Sequence, residues 1–247
     1  IQDKNVSEIK CEEEKLETFS RINKTKEIKS NLFLIGDSHF GKYAKYLNKF
    51  GVDFHGGQIM NGSGFSDSKF SLDPDKIFIP HEDDDSAYIW EKTFKALESS
   101  EGAKIYTNIG FQTHRTIPFI LNYFNTSFLT EKHISDYFSE FYTNTLTILS
   151  QLGNYGSVTL VEDPNIYLLL DEKDCPEGAN PKLLRINFPI YSSYIRRICK
   201  LLDYDYLAPF EMLIPEIFAK THDLMSLTGD DYIHSSELFY EKFACYL

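Results

Sequence analysis

Leu32-Phe33-Leu34-Ile35-Gly36-Asp37-Ser38-His39 is the stretch on which the fold turns. Four apolar residues in a row read as a strand buried on both faces. Gly36 eases a tight turn, and Asp37 and Ser38 are residues that commonly cap helices. Beyond them the spacing is helical through Lys49. A strand running into a capped helix opens a βαβ unit, and the serine hydroxyl would then stand at the carboxyl edge of a parallel sheet. Backbone N–H groups at such a helix start favour developing negative charge. Two readings stay open on this stretch alone: a plain N-cap, or a nucleophile.

Outward from this junction, strand-like runs occupy 32–36, 51–55, 76–79, 103–108, 157–162 and 204–208. Helical spacing covers 40–49, 86–99, 129–152, 186–202 and 235–246. Ile134, Tyr137, Phe138, Phe141, Leu146 and Leu149 show the three-and-four spacing of one amphipathic helix. Ile105-Tyr106 and Val158-Thr159-Leu160-Val161 are nearly continuous apolar runs. Strand alternating with helix predicts an α/β protein with a parallel sheet covered on both faces. Connections 56–75, 163–185 and 215–233 are long for this class, which marks them as functional or disordered. The acidic run Glu82-Asp83-Asp84-Asp85 reads as a solvated loop before the helix containing Trp90. Residues 1–30, rich in Lys, Glu and Asn, read as a polar linker, and 31–247 as one domain.

The chain has 247 residues and a formal net charge of −12, with no basic stripe. That argues against nucleic acid as a partner. No run of about 18 apolar residues occurs, so no membrane span is predicted. The sequence begins at Ile1 without a signal-peptide pattern, as a mature or excised fragment would. Cys11, Cys175, Cys199 and Cys245 lack metal-ligand spacing, so no metal site is predicted. Scattered buried thiols and one or two disulfides both remain open.

Near the other end stands Gly229-Asp230-Asp231-Tyr232-Ile233-His234-Ser235. Asp231 and His234 are three apart, so a carboxylate can hold one imidazole nitrogen while the other accepts a proton. Together, the early G-D-S turn and the late D-x-x-H resemble the two end motifs of the SGNH (GDSL-like) hydrolases. The resemblance implies a flavodoxin-like three-layer α/β/α fold with a central parallel sheet. It also implies a triad with Ser38 as nucleophile, His234 as general base and Asp231 as the orienting acid, Asp230 being a cap or surface residue. In the family an oxyanion hole comes from two middle blocks. Met60-Asn61-Gly62-Ser63-Gly64-Phe65-Ser66 matches the first at Gly64, whose N–H would join that of Ser38; the other reading is a flexible Gly/Ser loop. Tyr106-Thr107-Asn108-Ile109-Gly110-Phe111-Gln112-Thr113 departs from the second, a Gly-x-Asn-Asp. Gln112 stands where Asn belongs, so the donor is Gln112, or Asn108 from a shifted geometry, or missing.

The G-D-S-H form of the first block, the long spacing to D-x-x-H, and Val161-Glu162-Asp163-Pro164 leading to Asp174-Cys175-Pro176 are similar to one branch of that family. It consists of periplasmic SGNH domains fused to acyltransferase-3 membrane proteins, which O-acetylate bacterial surface polysaccharides such as O-antigen or capsule. The resemblance implies an O-acyltransferase moving acetyl to a sugar hydroxyl through a Ser38 acyl-enzyme. No resident cofactor is implied; the acyl donor comes from outside, acetyl-CoA through a membrane domain being one source. The partners would be a polysaccharide or oligosaccharide acceptor and an N-terminal acyltransferase-3 membrane domain. The same resemblance places the domain in the periplasm, tethered to the inner membrane, and suggests a Cys175–Cys199 disulfide. His39 reads as a first-turn surface residue or an acceptor contact, the first being favoured. A carbohydrate acetylesterase with the same triad, and a glycan-binding module without turnover, are the competing readings.

Overall fold

The computed structural model describes residues 30–62, 70–71, 79–80, 84–109, 111–165, 168, 180–209, 211–212 and 235–247. Strand β1 (Leu32–Gly36) runs straight into helix α1 (Ser38–Lys49). Next come β2 (His55–Gln58) and the short β3 (Phe70–Ser71) and β4 (Ile79–Pro80), then α2 (Asp84–Glu98) and β5 (Ala103–Thr107). Helices α3 (Thr113–Tyr123), α4 (Glu131–Phe141) and α5 (Thr143–Leu152) lead to β6 (Gly156–Val161). Helix α6 (Pro181–Leu202), strand β7 (Asp205–Leu207) and helix α7 (Glu237–Ala244) complete the described elements.

Five strands form one parallel sheet in the order β2-β1-β5-β6-β7, while β3 and β4 pair antiparallel on their own. Counted along the sheet-forming strands, the order is 2-1-3-4-5, the flavodoxin-like winding of an α/β protein. The register fixes the faces. Phe33 pairs with Ile105 and Ile105 with Val158, so these side chains share one face. They pack with Ile35 against Trp90, Phe94 and Leu97 of α2 and Ile148 and Leu152 of α5. On the opposite face Leu34, Tyr106 and Val161 pack against Phe40, Tyr43 and Leu47 of α1 and Phe239, Tyr240 and Phe243 of α7. A third cluster joins Leu160 to α3, α4, α5 and α6. The sheet therefore lies between two helical layers, the three-layer class that the sequence predicts. Among the described residues, no helix is long and apolar enough to cross a membrane.

Several elements differ from the sequence pattern. The second strand is His55–Gln58 rather than 51–55. The predicted helix over 129–152 is two helices that meet at Tyr142. There the buried Tyr142 hydroxyl lies 3.0 Å from Thr116 Oγ1, and its ring stacks on Phe138. Helix α3 went unpredicted; it contains Pro118, a residue that ordinarily breaks a helix. Helix α6 begins at Pro181, five residues before the predicted start, where Asn180 caps it by accepting from Leu183 N. Asp84 and Asp85, expected in a solvated loop, open α2. Cys199 carries a free thiol, buried among the α6 contacts, and burial pushes it up to about 12. Cys175, the partner expected for Cys199 in a disulfide, lies outside the described residues, as does Cys11.

Candidate active site at the carboxyl edge of the sheet

In this winding the chain leaves β1 for β2 on one side and returns to β5 on the other, so the switch point lies between β1 and β5. Ser38 sits there, partly exposed, as the first residue of α1. Asp37 caps the helix by accepting from His39 N at 2.9 Å. The junction is thus an N-cap, as one sequence reading held, and it also presents the serine at the open edge.

The register explains what Asp37 meets. Ile35 pairs with Thr107, so Asn108 emerges beside the turn at Gly36 and Asp37. Asn108 Oδ1 accepts from Asp37 N at 3.0 Å, and its Nδ2 donates to Asp37 Oδ1 at 2.8 Å. Gln112 Nε2 donates to Asp37 Oδ2 at 2.6 Å. Asp37 is fully buried, and burial raises its carboxyl above 3.8 even though Asn108, Gln112 and the His39 N–H hydrogen-bond to it. Gly36 is required by this packing: a Cβ there would lie 2.3 Å from Asn108 Oδ1. Gly62 is required by the same cluster, since a Cβ on it would fall 1.5 Å from Gln112 Nε2. The loop after β2 therefore presses on the Gln112 amide.

Of the predicted oxyanion donors, Asn108 is held on Asp37 by two hydrogen bonds. Gln112 uses one of its two amide hydrogens on Asp37, and it borders the loop after β2 at Gly62. Gly64, Gly110, Asp230, Asp231 and His234 lie outside the described residues. Ser235, next to His234 in the chain, is buried and donates its N–H to Tyr240 Oη at 3.3 Å.

His39 is where the structure corrects the sequence. Expected on the surface, it is 1% exposed. It belongs to the inner stripe of α1 with Phe40, Tyr43, Ala44, Tyr46 and Leu47. His39 Nδ1 lies 2.7 Å from Tyr240 Oη, and its Nε2 lies 3.9 Å from Asp163 Oδ1. Asp163 in turn accepts from Thr113 N at 2.8 Å, at the start of α3, and stands 3.6 Å from His114 Nδ1. Sequence reasoning missed this array. Its one legible signal was the position of His39 on the same helical stripe as Tyr43 and Tyr46.

Beyond it, Glu162 follows β6 and accepts from Ser192 Oγ at 2.9 Å. Burial pushes its carboxyl up to about 7, against hydrogen bonds from Tyr206 and Ser192 and the charge of Arg196. Arg196 donates to Glu211 and lies over the Tyr206 ring, so much of its charge is directed elsewhere. Among the described residues, no group of three or more His, Cys, Asp or Glu side chains is placed to hold a metal ion.

No protein-family model and no curated protein matches the chain. Two solved structures resemble it. One is the crystal structure of phospholipase A1 from Streptomyces albidoflavus NA297, at 12% identity and TM-score 0.44, covering 85% of this chain and 93% of that one. The other is the inhibitor-bound form of an aryl esterase from M. smegmatis, at 14% identity and TM-score 0.39, covering 86% of this chain and 94% of that one.

Proposed function

We propose that this chain is a serine-dependent SGNH-type enzyme that transfers an acetyl group to a hydroxyl of a bacterial surface polysaccharide. One observation carries the reading. Ser38 stands at the switch point of a flavodoxin-like sheet, and the chain next to it is tied to the chain next to His234. The link runs from His39 through Tyr240 to Ser235 in two short steps, 2.7 and 3.3 Å. His39 and Ser235, nearly two hundred residues apart in sequence, are thereby linked through one side chain, which supports a triad of Ser38, His234 and Asp231.

In the proposed mechanism His234 takes the proton of Ser38 Oγ as that oxygen attacks the acetyl carbonyl. The resulting oxyanion is held by the N–H groups of Ser38 and Gly64 and by the second amide hydrogen of Gln112. The positive end of α1 reinforces them. Collapse expels the donor's leaving group, which receives the proton from His234, and leaves acetyl on Ser38. A sugar hydroxyl then gives its proton to His234 and attacks the ester, and the proton returns to Ser38. Each oxyanion donor lowers the barrier by roughly 2.7–4 kcal/mol. The proposed setting is the periplasm, beside an acyltransferase-3 membrane domain that delivers acetyl from acetyl-CoA.

The test is turnover of an activated acetyl ester with and without an oligosaccharide acceptor, in the wild type and in Ser38→Ala. Acetylated oligosaccharide formed by the wild type alone supports the proposal. Acetate released with no transfer to any acceptor replaces it with an acetylesterase. Turnover unchanged in Ser38→Ala removes the serine mechanism.

A further inference from the structure

We infer that His39 and Tyr240 are positioning residues that hold the chain at Ser235, and with it the neighbouring His234, against the helix that carries Ser38. The inference rests on the Ser38–His234 reading above and deepens it. Three described elements meet at this point: the first turn of α1, the middle of α7 and the chain after β6. Asp163 Oδ1 is buried there and has no hydrogen-bond partner among the described residues. It faces His39 Nε2 at 3.9 Å, beyond hydrogen-bond length but well within electrostatic reach.

A carboxylate beside Nε2 favours the proton on that nitrogen. Nδ1 is then the acceptor, and the Tyr240 hydroxyl donates to it across 2.7 Å. With its single hydrogen so directed, the phenol oxygen keeps lone pairs to accept the Ser235 N–H at 3.3 Å. Asp163 orients His39 through space, and the direction of each hydrogen bond then sets the next: His39 orients Tyr240, and Tyr240 fixes the backbone at Ser235. Tyr240 is itself held by the aromatic packing of α1 and α7, with its ring 5.2 Å from that of Tyr43. The anchor is therefore packed against α1 on its Tyr43 side.

The experiment uses the full chain with ¹⁵N-labelled histidine. Ring nitrogen spectra of His39, assigned by the signal lost in His39→Asn, are expected to show an Nε2–H tautomer. In Tyr240→Phe the phenyl ring keeps the packing and removes only the hydroxyl. Amide exchange at Ser235 should accelerate about tenfold or more, and kcat on an activated acetyl ester should fall by a similar factor with KM unchanged. His39→Asn keeps an acceptor near the Nδ1 position and should retain most Ser235 protection, whereas His39→Leu should behave as Tyr240→Phe does. An Nδ1–H tautomer, or Ser235 exchange unaltered in a folded Tyr240→Phe, overturns the inference. The spectra and exchange are read without substrate. If they come out as expected while Ser38→Ala matches the wild type on every ester, the anchor stands and the functional reading falls.

Discussion

Glu162 offers a sharp physical test of the buried polar edge. Its carboxyl rises from 4.5 to about 7, chiefly because burial disfavours the charge. A rise of that size corresponds to roughly 3 kcal/mol between the two protonation states. The sign follows from proton linkage. A carboxyl whose folded value is raised binds its proton more tightly when folded. Its contribution to stability is therefore fully present below pH 4.5 and is lost as pH climbs to about 7. Above that point the folded protein carries a buried charge that hydroxyls from Ser192 and Tyr206 solvate only in part. Glu162→Gln keeps an oxygen acceptor for Ser192 and cannot ionise. Urea denaturation of both proteins from pH 4.5 to 8 isolates the effect, because other titrating groups, Asp37 included, are common to the two. The variant should match the wild type near pH 4.5 and exceed it by roughly 3 kcal/mol at pH 8, about 6–12 °C in Tm for a domain of this size. A pH-independent difference, or a variant that is less stable at pH 8, would show that the carboxylate has a compensating partner and that burial is not the governing term.

Gly62→Ala sets a Cβ 1.5 Å from Gln112 Nε2. The amide must leave Asp37, and ester turnover should fall roughly 10²-fold while a urea melt shows a folded protein. Asn108→Ala removes two hydrogen bonds and orphans the Asp37 N–H in a buried site. The expected loss is about 3–5 kcal/mol by chemical denaturation, and a loss under about 1 kcal/mol would contradict the assigned bonds. At the α1–α7 contact, burial opposes ionisation of Glu237, but hydrogen bonds from Lys45, Tyr46 and Lys42 hold it down to about 2. A depressed carboxyl stabilises above pH 4.5 and loses that contribution as pH falls toward 2. Because this side chain is about half exposed, Glu237→Gln should cost only about 0.5–1 kcal/mol at pH 7, less in high salt.

How far the sequence can be read depends on what each residue buries. Strands β1, β5 and β6 lie inside the sheet with helices on both faces, so continuous apolar runs betray them. Strand β2 is at the edge and reads His55-Gly56-Gly57-Gln58, with no residue that favours strands; only its pairing with β1 makes it one. Helix α3 hides behind Pro118, yet Thr116, Ile117, Ile120 and Leu121 bury one face of it. The break at Tyr142 leaves no gap in the apolar spacing because the tyrosine is itself part of the core.

The candidate site divides in the same way. Ser38 was legible because a strand-to-helix junction needs a capping residue at a definite place; Asp37 fills it, and Ser38 is the residue that follows. The Asp37–Asn108–Gln112 cluster was not, because it depends on the parallel register that sets Thr107 beside Ile35, a relation between segments about seventy residues apart. Asn108 looked like a donor displaced from its proper place. In the structure it crosses to Asp37 over a glycine that has no room for a side chain. The departure from the expected Gly-x-Asn-Asp block thus acquires a physical content. With Asn108 committed to the strand end, the longer Gln112 is the side chain that spans from Asp37 to the loop after β2. A residue one methylene shorter at position 112 would have to give up one of those two contacts.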